Sequence, residues 1–184
     1  MTYYGSKELA AAFRTVRKNT IQIAEDIPEN KYEFRAAPDT RTVAQALTHI
    51  ALGPGFQLHM QKSKVTDLAS VNFGELAQKF GAEEAKPRTK AEIIAFLKSE
   101  GEVFASYLEG LSESFLAEQV TMPPGVSPAT KSRFEMLLGP KEHEMHHRAQ
   151  LMQVQRMLGQ VPHLTRQMQE RMAQMAAASA QAQR

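Results

Sequence analysis

Cysteine is absent from this chain of 184 residues. Its absence excludes disulfide bonds, a cysteine nucleophile and every metal site that is built on thiolate ligands. A metal ion in this protein would therefore have to be held by histidine, by carboxylate groups, or by water and amide oxygens.

Long apolar runs and a strong excess of one charge are also missing. No stretch approaches the roughly 18 apolar residues of a membrane-spanning helix, and the first residues lack the basic and then apolar pattern of a signal peptide. The formal net charge is only +2, and no basic stripe with interleaved aromatic residues occurs. We therefore expect a cytoplasmic protein that binds neither membranes nor nucleic acids.

Strand patterns are scarce, whereas apolar residues recur at the three- and four-residue steps that are typical of helices. This periodicity predicts one helix over residues 6–26, a second that opens at Thr42, and a third over residues 89–110. A fourth is predicted to begin between Pro128 and Ser132 and to run to Leu158. Thr42 opens a capping box, as does the threonine at position 89, and such boxes mark helix N-termini.

Four long helices joined by two long connections predict an all-α protein, a four-helix bundle with long crossover connections. Two interruptions fall inside the predicted helices. Gly53-Pro54-Gly55 is expected to bend or break the second helix, and Gly139-Pro140 is expected to kink the fourth or to start a fresh first turn there. The predicted domain covers residues 1–164.

Residues 165–184 are rich in Met, Gln and Ala and predict a C-terminal helical tail that frays toward its end. Its methionines Met168, Met172 and Met175 can pack on the bundle, which is the favoured interpretation, or on a partner subunit. The second alternative would place the tail at the interface of a homodimer.

The segment KEHEMHHRAQL, from Lys141 to Leu151, holds three of the six histidines. Residues four apart on a helix are offset by about 40°, with Cβ atoms roughly 6 Å apart, so His143 and His147 can point at one ion. His146 is rotated by about 60° from His143 and is less well aimed. Two imidazoles make a poor site, so a third ligand is expected from another helix.

His49 is the natural candidate for the third ligand, because it lies among the apolar residues of the second helix. His59 lies on a more polar stretch, and His163 follows a helix stop and is expected to be exposed. A single histidine on an apolar face is more often a hydrogen-bonded core residue, and an H-x-x-x-H pair often arises by chance. From the residues alone, a metal site and a plain polar patch both stay open.

Three segments resemble those of the DinB/YfiT-like metalloenzyme family. EHEMHHRAQL resembles the family's HxxHHRGQL helix, with Ala149 in place of the usual glycine. YEFRAAPDTRTVAQALTHIA resembles the stretch that leads into the first ligand histidine, and MLGQVPHL is similar to the end of the last bundle helix. The resemblance implies that His49, His143 and His147 form a metal triad, and it favours a homodimer.

Three neutral histidines leave an open position for water on zinc, nickel or iron. The resemblance implies an enzyme that uses such a divalent metal, with a low-molecular-weight thiol as cosubstrate, to transfer, isomerise or hydrolyse a small electrophilic substrate. The alternative is a non-catalytic stress-response or binding bundle with a structural or vestigial metal ion.

Two further residues are candidates for catalytic roles beside the ligands. Gln150 lies about 20° off the stripe of His143 and can hydrogen-bond a ligand ring or the substrate, or it can be a plain packing amide. Arg148 can clamp an anionic group of the substrate or simply pair with Glu144.

Overall fold

The computed structural model of the protein describes residues 4–182. The helices are α1 (Ser6–Asp26), α2 (Val43–Lys62), α3 (Phe73–Glu84), α4 (Lys90–Glu109), α5 (Glu113–Ala117), α6 (Arg133–Met157) and α7 (His163–Ala182). Two short strands, β1 (Gln119–Thr121) and β2 (Thr130–Ser132), pair antiparallel between α5 and α6. The predicted all-α bundle is therefore confirmed, with α1, α2, α4 and α6 as its long helices.

Three of the four long helices begin with a capping box. The side-chain hydroxyls of Thr42, Thr89 and Ser132 each accept a hydrogen bond from the backbone N–H three residues further on. In each case the side-chain oxygen of the Gln or Glu at that position accepts a hydrogen bond from the backbone N–H of the capping residue. The N–H groups of a first helical turn have no partner within the helix, so these exchanges fix where each helix starts.

The four long helices pack in a closed ring, in which α1 contacts α4, α4 contacts α2, α2 contacts α6 and α6 contacts α1. The apolar stripes of all four meet inside this ring. Its largest core cluster consists of Ile23, Ala24, Ile27, Tyr32, Val43, Leu47, Ile50, Ala51, Ile93, Leu97 and Leu151. The order of the ring makes α2 and α6 direct neighbours along their length.

Both predicted interruptions lie within continuous helices, because α2 runs through Pro54 and α6 runs through Pro140. The predictions of a break in α2 and of a fresh first turn in α6 are therefore wrong. Proline has no N–H, so Pro54 leaves the Ile50 carbonyl without its usual helical donor. Arg17 from α1 takes that place, since its Nη2 donates to the Ile50 carbonyl at 3.1 Å.

Arg17 is itself buried and connects all four helices of the ring. Its guanidinium forms an ion pair with Glu144 of α6, with Nη2 and Oε2 3.0 Å apart, and both side chains are at most 4% exposed. Its Nη1 donates to the Leu97 carbonyl of α4 at 2.7 Å. A Cβ added to Gly101 would lie 2.8 Å from the Arg17 Cγ, so only glycine leaves room for this side chain.

The C-terminal helix α7 touches the bundle mainly through its first turn. His163 contacts Asn19 of α1 with an Nε2–Oδ1 distance of 3.2 Å, and Arg166 forms an ion pair with Asp26. His163 is 4% exposed, so the prediction that it faces solvent is wrong: the chain turns back onto α1 at the residues where the bundle helix stops.

The three tail methionines do not pack on the bundle. Met168, Met172 and Met175 are 59%, 62% and 65% exposed, because α7 extends away from α1 beyond its first turn. The favoured interpretation of these residues is therefore wrong, and their packing on a partner subunit stays a prediction. The tail is helical to Ala182, and the last two residues of the predicted tail lie outside the described residues.

None of the helices within residues 4–182 is both long and apolar enough to cross a membrane.

Candidate metal centre

The three histidines of the predicted triad meet between the neighbouring helices α2 and α6. The Nε2 atom of His143 lies 3.0 Å from that of His49 and 3.1 Å from that of His147. One ligand atom from each of the three residues lies within 4.8 Å of the others. The structure thus brings all three rings to one point, and all three are half-buried.

The outer nitrogens of two of these rings are held by hydrogen-bond acceptors. His49 Nδ1 lies 2.8 Å from a carboxylate oxygen of Glu84, and His147 Nδ1 lies 2.8 Å from the amide oxygen of Gln150. Because both acceptors need a donor, each Nδ1 carries a proton, and in the neutral form of each ring the lone pair is then on Nε2. The Nε2 atom of His143 faces the Nε2 atoms of both His49 and His147, and it carries at most one proton.

This arrangement fits a cation better than it fits three rings alone. Without an ion, a single proton on His143 Nε2 could form a full hydrogen bond to only one of the two neighbouring Nε2 atoms. The other pair of nitrogens would then stand about 3 Å apart with no proton between them. Around a tetrahedral zinc ion with Zn–N bonds of about 2.0–2.1 Å, ligand nitrogens stand about 3.3 Å apart. The 3.0 and 3.1 Å separations around His143 are within a few tenths of an ångström of that value.

The protonation of the triad also suits metal binding, since imidazole binds a metal through an unprotonated nitrogen. Burial, together with the neighbouring histidines His147 and His49, lowers the pKa of His143 to about 4. Burial also lowers the pKa of His147, although its hydrogen bond to Gln150 acts in the opposite direction. Both rings are therefore neutral near pH 7.

Glu84, which orients His49, is a site residue that the sequence did not reveal. It lies at the end of α3, in the crossover connection, and its second carboxylate oxygen accepts a hydrogen bond from Arg41 Nε at 2.6 Å. Burial alone would raise the pKa of Glu84, but the hydrogen bonds from Arg41 and His49 outweigh it and hold that pKa below its ordinary value. The Glu84 side chain is therefore a carboxylate that fixes the His49 ring.

Gln150 is exposed, and its amide bridges two rings of the cluster. Its oxygen faces His147 Nδ1, and its nitrogen donates to His146 Nε2 at 3.1 Å. His146 is exposed and stands outside the triad. It touches the triad in two ways: its ring meets that of His147 with centroids 4.9 Å apart, and its Nε2 accepts a hydrogen bond from the Gln150 amide that orients His147.

Arg148 is not brought to the triad. It lines neither of the two cavities beside the histidines. The alternative that it pairs with Glu144 is wrong, because Glu144 is buried toward the bundle axis and pairs with Arg17.

Gly53, the first residue of the Gly-Pro-Gly interruption in α2, leaves space for the imidazole ring of His143. A Cβ at this position would lie 3.1 Å from His143 Nδ1. Such a contact is tighter than side chains normally tolerate, so the ring would have to move. Glycine in the middle of α2 therefore allows α6 to bring His143 close to His49.

Two cavities flank the triad. One of about 740 Å³, the arginine cavity, is lined among others by Arg35, Arg41, Gln45, His147 and Gln150. The other, of about 630 Å³, is the aromatic cavity, whose walls include His49, His143 and the rings of Phe56, Phe73 and Phe80. Arg41 and Glu84 line both cavities, so their ion pair stands between them.

Replacing Glu84 with glutamine is expected to weaken binding of Zn²⁺ about 10–100-fold, because the loss of a carboxylate behind a ligand histidine usually has this effect. The measurement is competition of the protein with a zinc-chelating dye. Glu83→Gln is the matched control, since the neighbouring carboxylate pairs with Lys86 and Arg88 instead. Equal affinity in the two variants would contradict the role of Glu84.

The metal-free protein is expected to lose stability as the pH falls from about 6.5 to about 4. In the unfolded chain His143 takes up a proton near its ordinary pKa of 6.5, whereas in the folded chain it does so only near 4. Proton uptake in this window therefore favours the unfolded state. Urea unfolding at several pH values measures this effect. Between about pH 6.5 and about pH 4 the free energy of unfolding should decrease less in His143→Gln than in the control His59→Gln, which replaces an exposed histidine.

Comparisons with known proteins point to one family. The sequence profile of the DinB superfamily matches residues 12–151. No curated protein matches the chain.

Several solved structures share the fold. A DinB-like protein from Bacillus subtilis, YjoA, is 18% identical, with 84% of this chain and 93% of that chain covered and a TM-score of 0.61. YfiT from Bacillus subtilis, described as a probable metal-dependent hydrolase with an unusual four-helix bundle topology, is 13% identical, with coverage of 87% and 91% and a TM-score of 0.64. The colibactin self-resistance protein ClbS, solved in complex with double-stranded DNA, is 18% identical, with coverage of 83% and 98% and a TM-score of 0.56.

At these identities the structural likeness establishes the fold alone. The profile match establishes the family as well, because it covers well over half of the chain and includes the positions of all three histidines. The chain belongs to the DinB superfamily.

Proposed function

We propose that the protein is a metal-dependent enzyme in which His49, His143 and His147 hold a divalent ion that activates a low-molecular-weight thiol or water toward a small electrophilic substrate. The observation that supports this proposal most strongly is the convergence of the three Nε2 atoms with both flanking Nδ1 protons held elsewhere. When bound, such an ion lowers the pKa of a thiol or of water and so supplies a nucleophile near neutral pH.

The residues around the triad fix its geometry rather than transfer protons. Glu84 has both oxygens occupied, one by Arg41 and one by His49, and it is already ionised. It therefore acts as an orienting group for the His49 ring. Gln150 does the same for His147, and a rigid set of neutral rings is what an open catalytic site needs.

The arginine cavity offers a place for the polar cosubstrate. Two arginines line it, and each is held by one hydrogen-bond acceptor. Arg35 Nη2 donates to the amide oxygen of Gln45 at 3.3 Å, and Arg41 forms an ion pair with Glu84. Low-molecular-weight thiols commonly bear carboxylates, and guanidinium groups bind carboxylates through paired hydrogen bonds. His147 lines the same cavity, so a thiol bound there would lie beside the triad.

A screen for thiol transfer tests this function. Protein without a histidine tag is loaded with Zn²⁺, Ni²⁺ or Fe²⁺ and mixed with a thiol and a panel of small electrophiles, and thioether products are quantified. Turnover is expected in the loaded protein and is expected to be absent in His143→Ala. Metal-loaded protein without any turnover would favour the alternative of a non-catalytic bundle.

Hydrolysis is the second candidate reaction, and the fold shared with YfiT, described as a probable metal-dependent hydrolase, favours it. The same screen separates the two reactions when the thiol is left out. A product that contains the oxygen of ¹⁸O-labelled water identifies hydrolysis, whereas a product that needs the thiol identifies transfer.

A small molecule, rather than nucleic acid, is the proposed substrate. ClbS shares the fold and is described in complex with double-stranded DNA, but the net charge of this chain is only +2. A protein that binds DNA through phosphates needs a concentration of cationic side chains. We therefore expect no DNA binding in a low-salt mobility-shift assay, and salt-sensitive binding would contradict this expectation.

A further inference from the structure

The aromatic cavity lies beside His49 and His143 and shares Arg41 and Glu84 with the arginine cavity, which lies beside His147. It is bounded by the middle of α2, by one face of α3 and by the first half of α6. Two ligand rings, those of His49 and His143, form part of its wall. At about 630 Å³ it falls within the range of cavities that bind small organic molecules.

Three phenylalanine rings line this cavity together with the two histidines. Phe56 stacks on Phe73, with ring centroids 5.8 Å apart and planes inclined by 25°. Phe56 also meets Phe80, with centroids 6.3 Å apart and an angle of 57°. Phe73 is 39% exposed and stands where α3 begins. Such a set of rings favours an apolar, flat ligand.

The polar groups in this cavity are largely engaged with the protein. Arg41 and His49 both bond to Glu84, and the amide oxygen of Gln57 accepts a hydrogen bond from Gln61 at 3.3 Å. An anionic ligand here would have to compete with Glu84 for Arg41 and His49. A neutral ligand loses little hydration on entry and gains apolar contact.

The Gly-Pro motifs of the sequence acquire a role here, because they shape the same cavity. A Cβ at Gly55 would lie 3.1 Å from the Phe80 ring, just as one at Gly53 would meet His143. Gly139 and Pro140 of α6 form part of the wall as well. The two glycines of α2 thus let a ring of α3 and a ring of the triad come close to the helix backbone beside an open space.

We propose that the aromatic cavity binds the electrophilic substrate, and that this substrate is a small neutral molecule with an aromatic or similarly flat apolar group. The apolar group lies against Phe56, Phe73 and Phe80, and its reactive end points to His49 and His143. The placement of the reactive end beside the triad rests on the proposed function. Binding of an apolar ring in the cavity can be tested independently of that function.

N-phenylnaphthylamine, a neutral dye whose fluorescence rises in apolar surroundings, is the probe. It is titrated into the full chain in the metal-free and in the metal-loaded form. Saturable binding is expected in both forms. Ala77→Trp, which places a large ring at the cavity wall on the exposed side of α3, is expected to weaken binding roughly tenfold or more.

Ala82→Trp is the matched control, because Ala82 is also exposed on α3 but does not line the cavity. It is expected to bind the dye as the unmodified chain does. Phe73→Ala provides a second variant, with binding weakened severalfold through loss of one ring. Absence of saturable binding, or equal effects of the two tryptophan substitutions, would overturn the proposal.

The outcome for the cavity is separate from the outcome for the metal. In Co²⁺-loaded protein, the paramagnetic ion should broaden the NMR signals of the bound dye, and Ala77→Trp should remove this broadening. Dye binding that is sensitive to Ala77→Trp in a protein that binds no metal would leave the cavity assignment standing and reject the proposed function. Metal binding without dye binding would reject the cavity assignment and leave the proposed function standing.

Discussion

Replacing Glu144 with glutamine is expected to lower the free energy of unfolding by about 3–5 kcal/mol, the usual cost of removing one partner from a buried ion pair. Arg17 and Glu144 are both almost fully buried. The substitution preserves the shape of the side chain and removes only its charge, so the Arg17 guanidinium would stay in the core without a counter-ion. Urea unfolding of the metal-free protein measures the difference.

Arg14→Ala is the control for this substitution. Arg14 lies one turn before Arg17 on α1 and pairs with Glu102 and Glu109 at the surface, where such pairs contribute about 1 kcal/mol or less. The double variant Arg17→Met/Glu144→Leu should regain part of the loss, because it removes both charges together. A loss in Glu144→Gln no larger than that in Arg14→Ala would contradict the importance of the pair.

Replacing His143 with alanine is expected to weaken metal binding more than any other single change. Its Nε2 stands between those of His49 and His147, so its loss leaves two nitrogens and no central ligand. The decrease in affinity should exceed the roughly 10–100-fold that follows loss of an outer hydrogen bond to a ligand. Dialysis against the metal followed by elemental analysis measures it.

His146→Ala is the control within the same helix, because His146 is exposed and is not one of the three residues whose ligand atoms converge. It should retain metal with at most a modest decrease. A bound ion stabilises only the native state, so addition of Zn²⁺ should raise the melting temperature of the wild-type chain and of His146→Ala but not that of His143→Ala. A similar increase in all three would place the ion elsewhere.

The bundle and its triad were predictable because their signals are local. Helical periodicity and the capping boxes at Thr42 and Thr89 depend on residues a few positions apart, and these predictions agree with the structure. The four-residue spacing of His143 and His147 likewise fixes their common direction on one helix. His49 could be added because a polar ring on an apolar helix face needs a partner, and the family resemblance pointed to the same residue.

The residues that the sequence did not reveal act across long separations in the chain. Glu84 reaches His49 from the crossover connection, where nothing in the local pattern marks it as a site residue. Arg17 supplies the donor that Pro54 removes from α2, so the predicted break does not occur. His163 is buried by a turn of the chain onto α1, and no local signal gave the direction of that turn.

X-ray absorption spectroscopy on tag-free protein reloaded with Zn²⁺, combined with its metal content, tests the convergence of the three imidazoles most directly. The account predicts about one ion per chain with three imidazole nitrogens at about 2.0–2.1 Å, and little uptake of the ion by His143→Ala. A chain that takes up no ion, or an ion whose nearest atoms include no imidazole nitrogen, would contradict it.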